Sequence, residues 1–90
     1  MDSAELHRRI EMWEDIHTEF KDSSAHEDDL SAVLVAFANT NGGQLILGVL
    51  NDHTIKGVGN ADKTMQRLDQ IAYNNCEPPL TIIQELLKDD

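Results

Sequence analysis

Hydrophobic and polar positions change period several times along this chain, and each change marks an element. Leu6, Ile10 and Trp13 recur at i, i+4 and i+7, the spacing of one apolar face on a short first helix. Asp2, followed three residues on by Glu5, supplies a capping box at its start. From Ile16 the period shortens to two. Ile16, Thr18 and Phe20 alternate with His17, Glu19 and Lys21, which predicts a strand with one buried and one polar face. A second helix follows, with Ser24 as N-cap and Glu27 as its partner in a second capping box. Asp28 and Asp29 suit its positive end, and Leu30, Val33, Leu34 and Phe37 form its core-facing stripe.

The second helix is predicted to end near Ala38 or Asn39, where the stretch AFANTNGG runs into Gly42-Gly43. An unbroken apolar strand over residues 44–50 begins at once. NDHT then reads as a polar turn and IKGVG as a short returning strand, together a hairpin. Met65, Leu68, Ile71 and Ala72 outline a third helix from about Asp62 to Asn75, closed by Pro78-Pro79. The tail LTIIQELLKDD fits two patterns. Ile82, Ile83, Leu86 and Leu87 suit a helical face, while a β-branched run after two prolines suits a strand.

Ninety residues with 40% hydrophobic and 27% charged content make one small folded domain over residues 1–90. No apolar run approaches the roughly 18 residues that span a bilayer, and Asp2 and Glu5 stand where a basic signal-peptide start would be. The single Cys76 excludes an internal disulfide and a CxxC metal framework. These features together predict a cytoplasmic protein with no membrane partner.

Charge alters the picture more sharply. Seven basic residues against 17 acidic ones give a formal net charge of −10. Phosphate backbones are held mainly through Lys and Arg that displace counterions, so this chain alone is poorly suited to tight nonspecific nucleic-acid binding. Basic surface from a second chain or domain, or a bound metal, is needed. Between Glu11 and Asp29, Lys21 is the only basic residue and the candidate nucleic-acid contact there.

Few motifs carry chemistry. A GxxxxGK[ST] phosphate loop is missing, His26-Glu27 has no second histidine at i+4, and no serine stands in GxSxG. Gly57-Val58-Gly59 opens like a dinucleotide fingerprint but lacks the third glycine, which leaves a strand-to-helix turn. Gly42-Gly43 follows a helix C-terminus, where free carbonyls and the negative dipole end repel anions. That pair is a corner, not a phosphate cradle. Glu14 and Glu19 bracket the first strand, and two neighbouring carboxylates can attract a divalent cation. Surface pairing of Glu19 with Lys21 is the plainer reading of the same residues.

WEDIHTEFK, AFANTNGGQLILGV and IKGVG, in this order, resemble the Schlafen-type AlbA-like domain over roughly residues 6–80. The resemblance implies an α+β fold of two layers, a small mixed sheet with about three helices. The family domain extends by further strands, so the sheet here is expected to be incomplete and the domain truncated on its C-terminal side. It also implies a nucleic-acid-associated, DNA-binding N-terminal domain of a bacterial or archaeal transcriptional regulator. Animal Schlafens carry a carboxylate ribonuclease site, whose first two members map onto Glu14 and Glu19, the candidate catalytic and metal residues. The third belongs just after Gly48-Val49, where Leu50 and Asn51 occupy the usual acidic positions and Asp52 is the nearest carboxylate. That change points away from an enzyme. A metal-dependent ribonuclease using Mg or Mn is the alternative, and no other cofactor is implied. A non-catalytic assembly module is a further alternative, because open sheet edges can pair between copies into a homo-oligomer.

Overall fold

The computed structural model describes residues 1–89, so Asp90 lies outside the described residues. The chain forms helix α1 (Ser3–Met12), strand β1 (Thr18–Lys21), helix α2 (Glu27–Ala38), strand β2 (Gln44–Leu47) and helix α3 (Ala61–Asn74). This is the α+β class, three helices with a small sheet that does not close. β1 and β2 run parallel with Thr18 opposite Gln44 and Lys21 opposite Leu47, and α2 is the crossover between them. The only antiparallel pairing among the described residues is at the isolated bridges Asp15–Thr18 and Val49–Ile55.

Asp2 caps α1 by accepting from the Glu5 amide at 2.8 Å, half of the expected box, while the Glu5 carboxylate turns to Arg9. Leu6 and Ile10 are buried on Phe20 and Val49, and Met1, Trp13, Ile46, Ile55 and Leu87 pack around this cluster. α2 packs on α3 and meets β2, with Leu30, Ile71, Ala72 and Cys76 buried. Arg67 of α3 reaches the carbonyls of Ser23 and Ala25, which ties the start of α2 to α3.

Several local expectations change. The first strand starts at Thr18, not Ile16: a tight turn with mutual Asp15–Thr18 backbone bonds throws Ile16 outward, 76% exposed. α2 begins two residues later than a Ser24 cap requires. His26 is the N-cap, its Nδ1 accepting from the Asp28 amide at 3.1 Å, while Ser24 hydrogen-bonds back to Asp22. Of the α2 stripe only Leu30 is fully buried. β2 covers half of the apolar run over 44–50, because Gly48 breaks it with φ +101°. A Cβ there would meet the Gly57 backbone at 2.9 Å, so glycine is required on both counts. The Gly48 carbonyl accepts from the amides of Lys56 and Gly57, which leaves the expected hairpin as one bridge and a turn. Residues 80–89 are neither helix nor strand. This tail is held by Leu80 N to Ala72 O, by Gln84 to Met65 and Asp69, and by Glu85 and Asp89 to the N-terminal residues.

The Gly42-Gly43 corner is as expected from helix polarity. Gly42 donates to Phe37 O at 2.7 Å with φ +92°. A Cβ on Gly43 would lie 2.5 Å from the Phe37 ring, so this glycine lets helix end and strand start approach.

Candidate functional site

The candidate carboxylates are positioned by the way α1 ends. Trp13 closes the helix with φ +64°, its amide donating to Arg9 O, and so turns the chain back toward β1. Glu14 follows, and its Oε2 accepts from the Phe20 amide at 2.9 Å. The Glu14 side chain thus folds over β1. Glu19 lies beside it there, near enough to feel its charge. Loss of water, and then the Glu14 charge, hold the Glu19 carboxyl above its ordinary range. Lys21 Nζ, 3.7 Å from Glu19 Oε1, offsets part of that shift.

Asp52 stands in the turn after β2. Its Oδ1 accepts from the Thr54 amide at 3.0 Å, and the Thr54 hydroxyl and amide hold its carboxyl below the ordinary range. Glu14 and Glu19 are therefore brought together, while the Asp52 carboxylate is engaged within its own turn. Among the described residues no three His, Cys, Asp or Glu side chains form a group able to hold a metal ion. Glu14 and Glu19 alone would hold a Mg or Mn ion only with water and substrate phosphate oxygens completing its shell. A cleft of about 890 Å³ lies elsewhere, between β2, α3 and the tail, with an apolar lining that includes Phe37, Leu45 and Met65. None of Glu14, Glu19, Lys21 or Asp52 lines it.

The Schlafen, AlbA_2 family model matches residues 14–89. The chain belongs to the Schlafen AlbA_2 family. The match starts at Glu14 itself and includes Glu19, the glycine corner, Asp52 and α3, while α1 precedes it. No curated protein and no solved structure gives a match. Within this Schlafen AlbA_2 domain no helix of the described residues is long and apolar enough to cross a membrane.

Two features of the site escape the sequence pattern. The polar turn holding Asp52 is docked on the end of α1 by His53, whose ring stacks on Trp13 at 3.8 Å. Trp13 in turn stacks on Phe20 at 4.4 Å. Periodicity assigns Trp13 to a helical face and His53 to a solvent turn, so nothing in the spacing pairs them. The second feature is His17, whose Nδ1 lies 2.9 Å from Gly42 O and links the start of β1 to the glycine corner.

Proposed function

We propose that this Schlafen AlbA_2 domain is a nucleic-acid-associated module that serves as the DNA-binding N-terminal domain of a transcriptional regulator. The observation that carries the reading is the family match over residues 14–89. A net charge of −10 opposes phosphate binding, so a second domain or chain supplies most of the basic surface. Lys21 is the contact proposed for this chain, and its position beside Glu19 limits it to a weak one. Titration at low salt with single- and double-stranded probes tests the reading, using the protein that carries this domain. Binding to neither probe sinks it.

The proximity of Glu14 and Glu19 favours one second reading, a metal-dependent ribonuclease that uses them with Asp52. Cleavage of structured RNA that requires Mg or Mn and disappears in Glu19→Gln supports it. Equal cleavage by the variant removes the proposed site. Pairing between copies through an open sheet edge is a separate proposal, and a monomer whose light scattering is independent of concentration removes it.

A further inference from the structure

Three rings from separate parts of the chain stack face to face. Phe20, on β1, is 2% exposed. Trp13, at the end of α1, lies 4.4 Å from it with planes 7° apart. His53 lies 3.8 Å from Trp13 with planes 16° apart. The innermost ring belongs to the core and the outermost to solvent. Trp13 has φ 64° and ψ −157°, a conformation that a bulky side chain adopts only where the surroundings impose it, and His53 has φ 72°, which histidine adopts more readily. Hydrogen bonds hold the turn at His53: its amide donates to Leu50 O, Leu50 N donates to Thr54 O, and Asp52 accepts from Thr54 N.

An imidazole covered on one face and open on the other is an ordered planar surface. A flat ligand adding to that surface forfeits little side-chain freedom, because the ring is already held. Unpaired nucleobases stack on aromatic side chains, histidine included, and any base can do so because each has a π-face. Bases inside a duplex are covered by their neighbours. Electrostatics favours this mode over phosphate binding. Lys21 lies 3.7 Å from Glu19 and Lys56 3.6 Å from Asp22, so each ammonium shares its charge with a carboxylate and offers a phosphate only a weak contact.

We propose that the outer face of His53 is a stacking platform for an unpaired base of a single-stranded nucleic acid, held in place by Trp13 and Phe20 beneath it. The proposal rests on the nucleic-acid reading above and names the substrate form. Phosphates contribute little to this contact, so affinity falls only gently with added salt.

The test compares the chain with His53→Ala and His53→Phe against three probes. These are a short deoxyadenosine strand, its duplex, and a strand of equal length made abasic. The bare single strand is expected to bind tightest, with His53→Ala weakening it about tenfold and His53→Phe retaining most of it. On binding, the ring protons of His53 move upfield in the NMR spectrum as a base covers them. Equal affinity for the abasic strand, unchanged affinity in folded His53→Ala, or ring protons that stay put at saturation overturn the platform. Each of those results leaves the nucleic-acid reading standing. Binding to none of the probes, by the chain or by the protein that carries it, removes both.

Discussion

At the residue scale, Gly43 and Glu19 show how different constraints act at single positions. Gly43 is fixed by the Phe37 ring, which a Cβ would meet at 2.5 Å. Gly43→Ala is expected to destabilise the fold by about 1–3 kcal/mol as the ring is displaced, measured by urea unfolding. A loss near zero means that Phe37 swings aside freely. Glu19 carries an opposing cost. Burial and the Glu14 charge raise its carboxyl in the folded chain, so the folded state binds that proton more tightly than the unfolded state. The resulting destabilisation is absent below the unfolded pKa and complete above the folded one. Glu19→Gln is therefore expected to raise the melting temperature at neutral pH. The gain shrinks as pH falls through the raised pKa toward the ordinary value of 4.5. Loss of the half-buried, 3.7 Å Lys21 contact subtracts little, since loose pairs near the surface contribute about 0–1 kcal/mol. A variant that melts lower at neutral pH contradicts the assignment.

Among the elements, helix starts are the most instructive. Asp2 was legible as the α1 cap because an acid before an apolar stripe has one economical use, and the carboxylate meets the Glu5 amide. Asp2→Ala is expected to cost about 1 kcal/mol, with loss of helical circular dichroism on mild heating. Ser24 has the same sequence credentials, yet Asp22 takes its hydroxyl and amide, and α2 starts at Glu27 behind His26. Ser24→Ala is accordingly expected to cost no more than about 0.5 kcal/mol, well short of a lost cap. Competing local hydrogen bonds of this kind leave no trace in a spacing pattern. β2 was half legible for another reason. The apolar letters of 44–50 continue past Leu47, but the backbone turns at Gly48 to let Gly57 approach.

For the whole molecule, the tail joins both ends of the chain. The N-terminal ammonium meets Glu85 at 2.8 Å, His7 meets Asp89 at 2.8 Å, and Leu87 packs against the Leu6–Ile10–Phe20–Val49 cluster. Leu87→Ala is expected to destabilise the domain by about 1–2 kcal/mol, below a fully buried leucine because Leu87 is only partly covered. A neutral result in thermal melts shows that the tail adds nothing to the core. Hydrogen bonds from Ser3 and His7 hold the Asp89 carboxyl below its ordinary range. That contribution is present above the unfolded pKa and lost as pH falls through the folded one, so acid weakens the hold on the tail.

The sequence by itself determined the class of fold, the order of the three helices and the two paired strands, the glycine corner and the family, but not the returning strand it also predicted over IKGVG. Each of these rests on local periodicity, on a helix-end polarity or on a contiguous motif, all of which are written within a few residues. Tertiary structure alone decided that Glu14 leans on the Phe20 amide and meets Glu19, and that the Asp52 carboxylate stays in its own turn. It also decided that His53 lies on Trp13. Those contacts join residues up to 40 positions apart, and their geometry depends on backbone turns at Trp13 and Gly48 whose dihedral angles no hydrophobic pattern encodes.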